Sequence, residues 1–227
     1  MPRPSASITL RAASSSRSHV NDDIRLSRAF ITRYGVPSIS QVDPRMFSFR
    51  YFTHCLDCTF CNDWCCGHGV DVDLLHVRTM EQHRTGLEAA TGIPHAEWFT
   101  DEYEEDDAVP GGGTMRTNTN ERGCVFLTPG GRGCTVHQYA NDHGIDYHDI
   151  KSLVDVLFPL TYAGNLLTIA DEVADGSLVC LDTGPTVYRG MRGELQYYFG
   201  DEFVKELDAI ESDVVDELRK ATVSQLP

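Results

Sequence analysis

Hydrophobic positions along this chain fall mostly into short runs, and only two stretches hold a helical repeat for several turns. Leu74, Val77, Met80 and Leu87 share one helical face. Asp73 stands where an N-cap belongs and Gly92 lies just past the end, so a helix over about 74–90 is predicted. Phe203, Leu207, Ile210, Val214 and Leu218 recur at spacings of three and four, with acids on the other faces, and predict a C-terminal helix over 201–220. Near the start, Phe30, Ile31 and Tyr34 suggest a short helix within 24–34. Met46, Phe47, Phe49, Tyr51 and Phe52 suggest a strand over 46–53. Val70 and Val72 alternate with Asp71 and Asp73 as a short strand, and a second short helix follows Pro94. Residues 123–128 and 134–137 flank Pro129-Gly130-Gly131-Arg132-Gly133 and read as a small hairpin. A helix over 137–143 ends at Gly144, and Asp146 caps another running toward Lys151. The runs 153–158, 165–170 and 177–181 are rich in β-branched residues and predict strands, whereas 188–198 fits either state. Together these predict an α+β fold, a small antiparallel sheet with packed helices around a cysteine-rich loop.

Composition narrows the partners. With 34 Asp and Glu against 19 Lys and Arg the chain carries a formal −15, which argues against nucleic acid or an anionic membrane surface. No apolar stretch approaches the roughly 18 residues of a membrane span. Residues 1–22 are rich in serine and arginine, hold no acid before Asp22, and read as a disordered tail ahead of a single domain over 23–227. Residues 101–107 carry six acids in seven positions and read as a solvated loop. With no apolar secretory core at the N-terminus, a cytoplasmic setting is expected, and the eight cysteines point to metal or redox chemistry rather than disulfides.

Five of those cysteines fall within twelve residues: Cys55, Cys58, Cys61, Cys65 and Cys66. The first four have the C-x2-C-x2-C-x3-C spacing of a bacterial ferredoxin loop, but Cys66 takes the place of its proline and no second run follows. Thiolates are soft ligands that select zinc, copper(I) and iron–sulfur clusters. Five in one loop exceed what one tetrahedral zinc needs. The candidate ligands are these five with Cys124, Cys134 and Cys180. A bridge between the neighbours Cys65 and Cys66 would be strained. His68, between two glycines just after the loop, is the best-placed histidine. Phe60 and Trp64 are candidates to shield a cluster from water.

The order of motifs resembles the YkgJ-like cysteine-cluster family, described as zinc- or iron-chelating domains. The residues that carry the resemblance are Cys58-x2-Cys61-x3-Cys65-Cys66, then Cys124-Val125-Phe126-Leu127, then Gly133-Cys134-Thr135-Val136-His137, and finally Phe158-Pro159. It spans roughly residues 50–165. Where the family tends to place proline and cysteine, this chain has Ser152 and Asp155. The resemblance implies a bound metal or iron–sulfur centre, with Asp155 as a substitute oxygen ligand or Cys180 in the missing place.

Three functions follow as expectations. The first is an iron–sulfur protein ligated by the 55–66 loop with Cys124 and Cys134, passing electrons to an unidentified protein partner. The second is a structural zinc module. The third is a metal-dependent enzyme with an open coordination position, for which Asp63, His68, Asp71 and Asp155 are the nearby acids and bases.

Overall fold

A computed structural model describes residues 22–53, 56, 58, 60, 61, 63–176 and 180–224. The expected tail over 1–22, apart from Asp22, lies outside the described residues, as do Cys55 and the first three residues of the strand expected over 177–181. The fold is α+β, with several small sheets rather than one.

Strands β1 (Ile24–Ile31) and β2 (Ser38–Val42) open the first layer. After a 3-10 turn at Pro44–Phe47 comes the two-residue strand β3 (Arg50–Tyr51). The second layer holds β4 (Asp71–Asp73), α1 (Leu74–Gln82), α2 (Arg84–Thr91), β5 (Phe99–Glu105), β6 (Gly113–Thr117), β7 (Thr119–Asn120), β8 (Gly123–Cys124) and α3 (Thr135–His143). The chain then returns to the first layer through α4 (Leu153–Leu157), β9 (Leu160–Ala163), β10 (Leu166–Ile169), α5 (Asp171–Ala174), β11 (Leu181–Thr186), α6 (Val187–Phe199) and α7 (Asp201–Ser224). One sheet runs β1-β2-β10-β9, with β2 and β10 parallel and the other neighbours antiparallel. A second runs β4-β6-β5, and β3–β11 and β7–β8 form two short antiparallel pairs.

Two hydrophobic clusters result. The first gathers Phe30, Ile39, Phe47 and Leu167 from the sheet side with Tyr188, Leu195, Phe203 and Leu207 from α6 and α7. The second gathers Val72, Val77, Met80, Leu87, Trp98 and Phe126. Helices α6 and α7 are further joined by Arg192 gripping the Asp208 carboxylate at 2.7 Å.

Several expectations are corrected. Residues 24–31 form a strand, because the four-residue spacing of buried Leu26 and Phe30 fits one strand face as well as a helix. The strand expected over 46–53 shrinks to Arg50–Tyr51 behind a 3-10 turn started by Pro44 and capped by Asp43. The 74–90 helix is two helices broken at His83. Asp73 caps the first as predicted, accepting from the His76 N–H at 3.1 Å. The acidic run is not a loop but belongs mostly to β5, an edge strand whose acidic side chains stay in water. Residues 153–157 are helical despite their β-branched content. The buried carboxylate of Asp73 accepts from the Ser152 hydroxyl and from the Leu153 N–H, both at 3.2 Å, capping this helix from another element, and Pro159 stops it.

Candidate metal centre

Pairing of β3 with β11 builds the site. Leu181 lies opposite Tyr51, and the Phe52 N–H donates to the carbonyl of Cys180 at 3.1 Å. Cys180 is thereby held where the chain leaves β3 and enters the cysteine loop. The Sγ atoms of Cys58, Cys61 and Cys180 all lie within 4.8 Å of one another, and all three residues are buried in the first hydrophobic cluster. Around a tetrahedral ion with bonds of 2.3 Å, thiolate sulfurs stand about 3.8 Å apart, so a small contraction closes this trio on one metal. The trio could bind a metal as it stands.

Their electrostatics form a coupled set. Burial raises the Cys58 pKa, but the Phe60 N–H, the Cys61 thiol and N–H, and the Cys180 thiol outweigh it, leaving that thiol below its ordinary value. Burial, then the hydrogen bond it gives Cys58, push Cys61 up. Burial and its two sulfur neighbours push Cys180 up to about 12. Of the three thiols, Cys58 is therefore the one that gives up its proton most readily.

The opposite wall is the 129–134 turn. The Gly133 N–H donates to the Asp63 carboxylate at 3.1 Å. Arg132 Nη2 donates to Cys61 Sγ at 3.3 Å and to the Cys58 carbonyl at 3.1 Å. The turn can approach because Gly133, at φ +77, has no Cβ; one placed there would stand 2.6 Å from Leu56 Cδ2. Gly123 does the same for the following segment, where a Cβ would meet the Cys66 carbonyl at 2.7 Å.

The other described candidates fall outside this close group of three. Cys65 and Cys66 have their Sγ atoms 3.9 Å apart and straddle the two clusters, Cys65 packing against the first and Cys66 against the second. Cys124 is buried in the second cluster, with its thiol donating to the Thr117 hydroxyl at 3.5 Å, and burial pushes it up to about 11. Cys134 occupies the N-cap of α3, and burial raises its pKa as well. Asp155 has its pKa raised by burial, with Lys151 pulling the other way, and its electrostatic partners include Cys124 and Cys134. Among the described residues, the only group of three ligating side chains that close together is Cys58, Cys61 and Cys180.

Other expectations shift too. His68 is exposed, and its carbonyl accepts from Arg116 at 2.8 Å. Asp63 is engaged by the 129–134 turn and Asp71 by Arg116. Phe60 and Trp64 are 44% and 58% exposed, so both residues face water rather than the core. Tyr51 and Arg132 enter the site without having been singled out in the sequence. The signal for Arg132 was its place between glycines in a turn next to Cys134.

A separate polar network lies by the second cluster. His148 is bracketed by Asp146 at 2.5 Å and Glu194 at 2.6 Å, and stacks between Tyr147 and Tyr197. It ties α6 to the segment after α3. No helix among the described residues is long and apolar enough to cross a membrane. No family model, curated protein or solved structure matches this chain.

Proposed function

We propose that this protein carries a thiolate metal centre in which Cys58, Cys61 and Cys180 hold a single thiophilic ion, zinc in the first instance, with Cys65 supplying the fourth sulfur. The observation that carries this is the closeness of three buried thiols drawn from two distant parts of the chain. Thiolates on different irons of a cubane cluster stand farther apart than thiolates on one ion, so the separation favours one ion. Cys65 is the candidate for the fourth position because it packs against the hydrophobic cluster that holds the trio. The motif resemblance to the YkgJ-like family agrees with a metal-chelating role.

A second reading keeps the iron–sulfur cluster with an electron-transfer or accessory role and an unidentified protein partner. What favours it is the supply of thiols: Cys65 packs against the hydrophobic cluster that holds the trio, and Cys66, its Sγ 3.9 Å from that of Cys65, packs against the one that includes Cys124 and Cys134. An enzyme with Asp155 at an open position has less support, since Asp155 is not grouped with the trio.

Anaerobic purification followed by metal and acid-labile sulfide analysis separates these readings. One zinc per chain without sulfide is the expected result. Iron with stoichiometric sulfide, and visible absorption that bleaches on reduction, would replace it with the second reading. Protein that neither carries nor takes up a thiophilic metal would sink both.

A further inference from the structure

The turn facing the thiols brings a cation to them, and the turn is itself fixed. Gln138 Nε2 donates to the Arg132 carbonyl at 2.8 Å, and the Gly133 N–H is held by Asp63. From this seat Arg132 places one nitrogen within reach of both the Cys61 sulfur and the Cys58 carbonyl. Asp63 is also nearby, at 3.6 Å from the guanidinium, but it lies closer to the Gly133 N–H than to the arginine.

We propose that Arg132 is the positioning and charge-compensating residue of the metal centre, acting on the ion through Cys61. This rests on the reading that Cys58, Cys61 and Cys180 hold a metal. Three thiolates on a divalent ion leave one excess negative charge, and four leave two. Cys58, Cys61 and Cys180 are 2%, 5% and 5% exposed, so water does little to stabilise that charge. Uncompensated charge away from water is strongly unfavourable. The guanidinium, shared with the Asp63 carboxylate at 3.6 Å, offsets part of that charge and aims an N–H at a sulfur, which lowers the energy of the sulfur lone pair. Partners just outside the ligand shell typically change metal affinity by about 10–100-fold. Lysine would supply the charge from a flexible ammonium rather than from a rigid guanidinium plane.

The test uses cobalt(II) as the metal, on the full chain under anaerobic reducing conditions. R132Q is expected to bind cobalt about 10–100-fold more weakly than the wild type. Its thiolate-to-cobalt charge-transfer band should move to lower energy, because the sulfur has lost a hydrogen bond. R132K should recover much of the affinity while keeping a shifted band. If R132Q fails to fold, as judged by circular dichroism, the R132K spectrum decides: a band identical to wild type overturns the inference. Wild-type affinity and spectrum in a folded R132Q overturn it equally, and leave the metal centre standing. Wild-type protein that takes up no cobalt removes both the centre and the role of Arg132 in it.

Discussion

The trio Cys58–Cys61–Cys180 and the pair Cys124–Cys134 are thiols of one chain, yet their surroundings differ. In the trio, other sulfurs are among the polar groups each thiol faces, and a β ladder fixes the distance between the two segments. In the pair the surroundings are different: Cys124 bonds a threonine hydroxyl in the second cluster, and Cys134 stands at the N-cap position of α3 without a side-chain cap hydrogen bond. Sharing a cysteine motif therefore does not bring all its sulfurs together; in the trio, backbone pairing holds them near one another.

The largest effect should come from breaking the trio. Cys180→Ser is expected to abolish stoichiometric metal, with cobalt affinity falling by more than about 100-fold, since losing a ligand should exceed an outer-shell change. Cys134→Ser and Asp155→Asn should keep one ion per chain. Metal analysis of the three variants side by side tests the contrast, and loss of metal in Cys134→Ser would merge the two groups into one larger centre.

Next is the anchor between the two clusters. Asp73 is buried and takes hydrogen bonds from His76, Ser152 and Leu153. Asp73→Ala strands these donors and should lower stability by about 3–5 kcal/mol. Urea denaturation measures this. A loss below about 1 kcal/mol would mean that the two clusters do not depend on this anchor.

A smaller, pH-dependent effect belongs to His148. Burial opposes its charge, but Glu194 and Asp146 overcome that and raise its pKa. Burial raises the Asp146 and Glu194 values, but the bonds to His148 more than reverse it, so both are lowered. The histidine's contribution is complete below its unfolded value and fades as pH rises through the elevated folded one. The carboxylates contribute above their unfolded values and fade as pH falls. The network should therefore stabilise most between about pH 4.5 and 6.5. His148→Gln should flatten the stability profile there. An unchanged profile would show that the bracket adds nothing.

The smallest effect is expected at Trp64. Its ring is largely in water, so Trp64→Ala should change stability by less than about 0.5 kcal/mol and leave cobalt affinity unaltered. A marked loss of affinity would restore the shielding role expected from its place in the loop.

Much of the fold was readable residue by residue where local chemistry decides it. Asp73, Asp146, Gly92 and Gly144 mark helix boundaries through caps made within a few residues. Failures came where a distant partner decides. The 153–157 segment is helical because Asp73, some eighty positions away, caps it. At the site, the loop announced metal through its cysteines alone. That Cys180 rather than Cys124 meets Cys58 depends on the β3–β11 pairing, which involves two residues of β3 and gives almost no periodic signal.

The β3–β11 ladder also sets a timetable. More than a hundred residues separate Cys61 from Cys180, so the full trio does not exist while the N-terminal part of the chain is being synthesised. Closing so long a loop comes before any ligand can reward it. An ion that meets the nascent loop finds neighbouring thiols but not the buried pocket. If the trio takes a metal as proposed, uptake is a late event that reports the fold as finished, and its rate should follow the docking of the last strand rather than the supply of metal.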